Sequence, residues 1–313
     1  MIVIGTRGSK LALWQANHIR DQLQTYFPDL EVHIQIIKTT GDRPQAAVAA
    51  DIPSHASTGI SAKGAFSKEI DQAQLEAKID VAVHSLKDLP TDLPVGLTLG
   101  AIPIREDARD MLISKNGTGL ADLRSGEKVG TRSLRRQTQL HYHRPDLKVV
   151  GLRGNVDTRI RRLHETDLSA IILATAGLNR LFGSPPTLPH LELTPIPVDQ
   201  MVPAVGQGAL AVVARTDDVQ TLDLLKRIDH SISRTEVVAE RAALSTMANE
   251  TELGAGCQIP IGIYAKYTLA RLQMVGVICS EKGLNRACVE GSIDDPISVG
   301  RQLGQQLLTG TFN

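Results

Sequence analysis

Two stretches of the chain repeat one another, and this repeat narrows the possible folds more than any other feature. Ile4-Gly5-Thr6-Arg7-Gly8-Ser9 closes a short apolar strand and opens a helical segment over 11–26. Pro28-Asp29-Leu30-Glu31-Val32 and a second strand follow. Val129-Gly130-Thr131-Arg132-Ser133 does the same ahead of a helical segment ending near 143, and Pro145-Asp146-Leu147-Lys148-Val149 again leads into a strand. A strand–Gly-Thr-Arg–helix–Pro-Asp-Leu–strand unit used twice predicts two related α/β lobes. Each lobe has a later apolar run. Ile79-Asp80-Val81-Ala82-Val83 continues into His84-Ser85-Leu86-Lys87-Asp88, and Ala170-Ile171-Ile172-Leu173-Ala174 into Thr175-Ala176-Gly177. Such near-continuous runs, alternating with helices, predict parallel strands covered on both faces, so each lobe reads as doubly wound. Sheets of this kind bind ligands at the carboxyl ends of their strands, where Arg7, Lys87, Asp88, Arg132, Arg153 and Thr175 fall.

The rest of the chain is organised around these lobes. Residues 183–200 carry Pro185, Pro186, Pro189, Pro195 and Pro197 and read as a surface connection. A strand-like Leu210-Ala211-Val212-Val213 follows Pro203-Ala204-Val205-Gly206-Gln207-Gly208-Ala209. From about 229 the pattern changes to a helix over 233–247, strands near 261–266 and 272–278, and a last helix over 295–308, a small α+β domain. The expected division is therefore 1–103 plus 203–226 for the first lobe, 104–202 for the second, and 227–313 for the third domain. Residues 43–62, rich in Ala, Ser, Asp, Gly and Pro, predict a long loop of the kind that serves as a lid.

Charge is uneven. Lys plus Arg number 34 and Asp plus Glu 34, a formal net charge of zero. Yet 130–162 holds nine basic residues (Arg132, Arg135, Arg136, Arg144, Lys148, Arg153, Arg159, Arg161, Arg162) against Asp146 and Asp157, nine minus two giving +7. A helix opening at Gly130-Thr131-Arg132-Ser133 offers unpaired N–H groups and a positive dipole end. Arginines there make bidentate contacts to carboxylate or phosphate. Gly151-Leu152-Arg153-Gly154-Asn155 repeats the device one element later. Arg135, Arg136, Arg153 and Arg159 are the anion-site candidates, while Arg144, Lys148 and one or both of Arg161 and Arg162 read as a solvated face. Lys87-Asp88, after a buried strand, suits stabilisation of a cation or a proton relay; Asp88 equally suits a turn before Pro90. Cys257, among small residues in Gly254-Ala255-Gly256-Cys257-Gln258-Ile259-Pro260, is either an accessible thiol for covalent chemistry or a small core residue. Cys279 and Cys288 read as core.

Several classes are excluded. Balanced charge and 3% aromatic residues give neither the basic domain nor the stacking platform of a nucleic-acid binder. No apolar run reaches the ~20 residues of a membrane span. Gly206-Gln207-Gly208-Ala209 imitates a dinucleotide fingerprint in letters but precedes a strand rather than a helix. No spacing of His, Cys, Asp and Glu suggests a metal. Three cysteines without a paired pattern, and an opening strand in place of a leader, lead us to expect a reducing cytoplasm.

Seven motifs, in order along nearly the whole chain, resemble those of the porphobilinogen deaminase (hydroxymethylbilane synthase) family. They are Thr6-Arg7-Gly8-Ser9-Lys10-Leu11-Ala12-Leu13-Trp14-Gln15-Ala16, Thr40-Gly41-Asp42, Val83-His84-Ser85-Leu86-Lys87-Asp88-Leu89-Pro90, Ser133-Leu134-Arg135-Arg136-Gln137, Leu152-Arg153-Gly154-Asn155-Val156, Pro203-Ala204-Val205-Gly206-Gln207-Gly208 and Gly256-Cys257-Gln258-Ile259-Pro260-Ile261-Gly262. The resemblance implies two lobes like those of periplasmic binding proteins and a small third domain. It also implies a cytoplasmic, monomeric enzyme that condenses four porphobilinogen molecules into hydroxymethylbilane, releasing ammonia at each step. By the same resemblance Cys257 carries a dipyrromethane cofactor through a thioether. Asp88 is the catalytic carboxylate, stabilising the azafulvene cation formed when ammonia leaves. Arg7, Ser9, Lys63, Phe66, Ser85, Lys87, Thr131, Ser133, Arg135, Arg136, Arg153, Arg159 and Gln207 bind cofactor or substrate. Each pyrrole brings two carboxylates, which fits the local basic surplus. The chain departs from the family pattern at Arg132, commonly serine, and at Leu253-Gly254-Ala255-Gly256-Cys257, where Leu-Glu-Gly-Gly-Cys is usual. A two-lobed anion-binding module without catalysis, or a homologue that no longer loads its cofactor, are the competing readings.

Overall fold

A computed structural model describes residues 1–39, 67–115, 117, 119–250, 260–280 and 283–310. Lys63, Phe66, the 43–62 loop, the Thr40-Gly41-Asp42 motif and Cys257 with its loop lie outside the described residues. The chain forms two compact units: Met1–Pro103 with Leu210–His230, and Ile104–Ala209 with the described residues from Ser231 onward.

The first unit is built on β1 (Ile2–Thr6), β2 (Val32–Ile36), β3 (Val81–Ser85), β4 (Leu97–Ala101) and β10 (Leu210–Arg215), in the order β2-β1-β3-β10-β4. Helix α1 (Lys10–Tyr26) starts at Ser9, whose hydroxyl accepts from the Ala12 N–H at 3.3 Å and so supplies one of the partners a helix N-terminus lacks. Its Ala16, Ile19 and Leu23 are buried at helical spacing against Ile4, Val81 and Val83. Complete burial of Ile19 or Leu23 contributes roughly 1.5–3 kcal/mol each. Helix α2 (Lys68–Leu75) places Gln74 so that its amide donates to the Asp80 and Val213 carbonyls, at 2.9 and 2.7 Å.

The second unit repeats this plan. Strands β5 (Asp110–Ser114), β6 (Lys128–Gly130), β7 (Lys148–Val150), β8 (Ala170–Ala174) and β9 (Glu192–Pro195) lie in the order β7-β6-β8-β5-β9. Helices α3 (Leu134–His143), α4 (Val156–Glu165) and α5 (Thr175–Phe182) follow β6, β7 and β8. The sheet is sandwiched by two apolar clusters, one around Ile113, Leu163 and Ile171, the other around Leu112, Leu140 and Ile172. The same unit holds a three-stranded antiparallel sheet, β11 (Ile261–Thr268), β12 (Arg271–Ser280) and β13 (Gly283–Gly291), covered by α7 (Ser231–Glu250) and α8 (Pro296–Thr309) around a separate core. Helix α6 (Val219–Leu225) completes the first unit.

Four expectations need correction. The lobes are not wholly parallel: β1 pairs in parallel with β2 and β3, and β6 with β7 and β8, but β10 and β5 run antiparallel to both neighbours. Each is the strand by which the chain enters that sheet from elsewhere, with no crossover helix to reverse it. A strand buried on both faces has the same apolar pattern in either direction. Residues 183–200 are more than a connection, because β9 within them pairs with β5, Pro195 opposite Met111 on an edge strand that tolerates proline. Cys288 is exposed on the edge strand β13, whereas Cys279 is buried as expected; both are free thiols. Arg144 is likewise not a solvated residue. Its guanidinium grips Asp146 at 2.8 Å and donates to the Leu123 carbonyl at 2.6 Å and to that of Leu120.

Candidate functional site

In the first unit the carboxyl edge of the sheet gathers Arg7 after β1 and a one-turn 3-10 helix, Leu86–Asp88, after β3. Thr6 is fully buried, and its hydroxyl donates to the Ala12 carbonyl at 3.1 Å, binding the strand end to the first turn of α1. Ser85 accepts a 2.8 Å hydrogen bond from the buried Gln15 amide, which the N-terminal motif contained but no role had been given. Asp88 is exposed; Lys87, Arg7 and Ser9 are half-buried. His84 pairs with Ala211 across β3 and β10, and its Nε2 is buried without a partner. Burial first, then the nearby Arg7 cation, pushes this imidazole down to about 4, so the ring is neutral at ordinary pH.

In the second unit the corresponding edge gathers helix N-termini. Helices α3, α4 and α5 open there at Ser133, Asn155 and Ala174, and none of the three caps its helix through the side chain. Three helix N-termini therefore leave backbone donors and positive dipole ends at one edge. Thr131 is buried, its hydroxyl accepting from the Ser133 N–H at 3.3 Å; Ser133 is half-buried and Arg132 exposed. Arg153 is exposed, and Arg159 donates through Nε to the Gly154 carbonyl at 2.7 Å. Gly154 has φ +113°, and a Cβ there would lie 2.8 Å from Thr158 Cγ2, so only glycine permits this turn.

Arg135 and Arg136 are not surface groups. They are 6% and 5% exposed and share the fully buried Asp110, which opens β5. Arg135 Nη1 donates to Asp110 Oδ2 and to the Val202 carbonyl, both at 2.7 Å. Arg136 donates to Asp110 Oδ1 through Nε at 3.1 Å and Nη2 at 2.7 Å, and through Nη1 to the Ile172 carbonyl at 2.9 Å. Gln207, 1% exposed, adds its amide to Asp110 Oδ1 at 2.9 Å and to the Ala108 carbonyl at 2.7 Å. The paired guanidinium groups outweigh the cost of burial and hold the Asp110 carboxyl far below the usual carboxylate range. Burial, and the like charge of Arg136, pull Arg135 down. Beyond α5's first turn, Arg180 is buried with one N–H on the Gly208 carbonyl at 2.7 Å, and burial brings it down to about 10. Asp110 and Arg180 were not anticipated from the sequence. For Asp110 the one local sign was its position at the start of the buried strand β5; Arg180, in the last turn of α5, gave none.

The fold and these edges define a class: a two-lobed α/β protein with an exposed carboxylate at the sheet edge of one lobe and a donor-rich sheet edge on the other. Residues 2–223 match the family model described as porphobilinogen deaminase, dipyromethane cofactor binding domain, and residues 234–309 the model of the porphobilinogen deaminase C-terminal domain. A porphobilinogen deaminase of Syntrophomonas wolfei is 44% identical over 307 residues, covering 97% of this chain and 94% of its own. One of Roseiflexus sp. is 44% identical over 308 residues, covering 98% and 95%. The chain belongs to the porphobilinogen deaminase family. Among solved structures, the probable amino-acid ABC transporter extracellular-binding protein ytmK of Bacillus subtilis aligns at TM-score 0.43 and 10% identity, covering 72% of this chain and 89% of that one. The two-lobed architecture is read from the strand orders and does not rest on that likeness.

Proposed function

We propose that this chain condenses four porphobilinogen molecules head to tail into hydroxymethylbilane, releasing one ammonia per addition, in tetrapyrrole biosynthesis. The growing chain starts from a dipyrromethane held through a thioether at Cys257. The observation that carries this reading is the second unit's donor edge: three uncapped helix N-termini beside exposed Arg153 and the buried arginine pair. Such an edge suits a ligand bearing several carboxylates, and a dipyrromethane with acidic side chains fits it chemically. When bound, that group supplies the pyrrole carbon to which the first substrate is joined.

The chain's own residues do the rest. Thr131, Ser133, Arg135, Arg153 and Arg159 orient acetate and propionate groups by charge-assisted hydrogen bonds, roughly 1.5–3 kcal/mol each. Arg7, Ser9, Ser85 and Lys87 do so on the first lobe, with Lys63 and Phe66 added by family resemblance. Asp88 places its carboxylate by the substrate's pyrrole N–H. There it stabilises the positive charge that develops as ammonia departs, and it accepts the proton released when the new carbon–carbon bond forms. The neutral His84 adds no cation to compete for the substrate's acids. We assign the protein to the cytoplasm as a monomer, built as 1–103 plus 203–226, 104–202 and 227–313; the free thiols of Cys279 and Cys288 suit a reducing compartment. Porphobilinogen consumption with stoichiometric ammonia release tests the activity. A purified chain that binds porphobilinogen without releasing ammonia would reduce it to a binding module.

A further inference from the structure

One face of the small antiparallel sheet packs on α7 and α8, and the other is only partly covered. Val277 lies opposite Arg286 across β12 and β13, and Leu284, Arg286 and Cys288 follow at a period of two, so all four share that second face. Val202 packs there with Val277 and Leu284. Beyond them a cavity of about 690 Å³ opens at the edge strand β13, walled by Tyr142 and His143 of α3 and, round the strand edge, by the end of α8. That is the size of a small-molecule site. Val277 and Leu284 give it an apolar floor, and among the described residues no carboxylate lines it. Arg286 makes one hydrogen bond among the described residues, Nη1 to the Asp199 carbonyl at 2.8 Å. Its Nε–Nη2 side is left to grip an acid in a two-bond fork. His143 stands close by. Burial first, then the Arg286 cation, push this imidazole below its ordinary value, against Asp199 and the Gln200 carbonyl. Both α3 and α8 end at the cavity, and helix carboxyl ends carry partial negative charge. Three of their last carbonyls are already met: Leu140 by the Arg144 N–H at 2.8 Å, Leu307 by the Asn285 amide at 2.7 Å and Gln306 by the Gly310 N–H at 2.9 Å. The full charge of Arg286 outweighs what remains.

We propose that this cavity is a binding site for a small organic acid. Arg286 grips its carboxylate or phosphate in a two-bond fork, and its apolar or aromatic body lies against Val277 and Leu284. His143 faces the same acid, whose negative charge relieves the repulsion between imidazole and guanidinium. The site is separate from the donor edge. Both touch α3, but Ser133 precedes the first turn of that ten-residue helix and His143 closes its last, about 15 Å away along the axis. It stands independently of the functional reading above. Cys288, an exposed free thiol on the cavity wall, reports occupancy without taking part in it.

The test uses the full chain and reads how fast iodoacetamide alkylates Cys288, followed by mass on the peptide that carries it and taken relative to the same protein without additive. Four additives are compared: benzoate, phenyl phosphate, benzamide (the uncharged counterpart of benzoate) and inorganic phosphate, which has no apolar body. At least one of the two organic acids should slow alkylation about fivefold, half-maximally at about 1 mM or below. Benzoate acting at the lower concentration identifies a carboxylate ligand, and phenyl phosphate a phosphate ester. Benzamide and inorganic phosphate should need about tenfold more. Arg286→Gln should raise the half-maximal concentration about tenfold and leave kcat and KM for porphobilinogen within about twofold when no acid is present. Arg153→Gln, at the donor edge, should leave the protection as it was. Should Arg286→Gln not fold, His143→Leu takes its place, with an expected rise of about threefold. No slowing by either acid at about 10 mM, equal slowing by benzamide, protection that survives Arg286→Gln undiminished, or protection lost with Arg153→Gln overturns the proposal and leaves the functional reading standing. A chain that protects Cys288 as described but does not turn over porphobilinogen overturns that reading and leaves this site standing.

Discussion

At the scale of single residues, exposure separates the two carboxylates at the sheet edges. Asp88 is exposed at the end of a 3-10 turn and Asp110 is fully buried; the first is free to meet substrate, the second is bound by four donors. Asp88→Asn should keep the mass adduct and the melting midpoint and lose roughly 10²-fold or more in kcat. Near-normal turnover would remove Asp88 from catalysis. His84 gives a pH signature. Its imidazole is depressed from about 6.5 to about 4 in the folded chain, so the unfolded chain binds a proton that the folded one refuses between those values. Stability is full above about 6.5 and falls as pH drops toward 4, by up to about 3 kcal/mol and less where water reaches the half-buried ring. His84→Gln should therefore flatten the fall in urea midpoint between pH 7 and pH 5; an unchanged slope assigns the decline to other groups.

At the scale of elements, turns position the donors. Gly154, at φ +113°, sets the entry to α4 and receives Arg159 on its carbonyl. Gly154→Ala should cost about 1–3 kcal/mol of strain and shift Arg153 and Arg159 together, raising KM more than it lowers kcat. A KM equal to that of the unaltered chain would dissociate the turn from binding. Elements also show what a sequence reveals. Strand β1, helix α1, β3, α3, β8 and the final helix were legible because apolar spacing and Gly-Thr-Arg turns are local signals. The reversed direction of β5 and β10 was not, since burial on both faces erases the difference. The third strand of the small sheet, β13, was missed because Gly283, Asn285, Arg286 and Glu290 dilute its apolar pattern. The edge residues Arg7, Lys87, Asp88, Arg132 and Arg153 fell where strand ends predicted. The sequence said nothing of Asp110 as the partner of Arg135, an ion pair spanning 25 positions, because such pairing leaves no periodic trace.

At the scale of the whole molecule, a chain of zero formal net charge concentrates a basic surplus in the second unit, and one buried acid ties the returning segments of that unit together. Glu240, fully buried in α7, accepts from Arg105 at 2.7 and 3.2 Å, from the Gly206 N–H at 2.6 Å and from the Ala265 N–H at 2.9 Å. It thus fixes the segment before β5, the Pro203–Gly208 motif and β11 at one point. Glu240→Gln removes the nearer of the two carboxylates on buried Arg105, leaving Glu236 at 3.7 Å, and should cost about 3 kcal/mol, a fall in melting midpoint of about 10 °C. A shift within 2 °C, about the equivalent of a kcal/mol or less, would mean that the hub is not limiting. The central claim is that an acidic pyrrole oligomer grows on this chain from a single sulfur. It is tested most directly by intact mass of the purified protein and of its Cys257→Ser variant. The unaltered chain should exceed its sequence mass by one dipyrromethane and gain further pyrrole units on brief exposure to porphobilinogen, and the variant should do neither. An unaltered chain at its bare sequence mass, before and after porphobilinogen, would contradict the account.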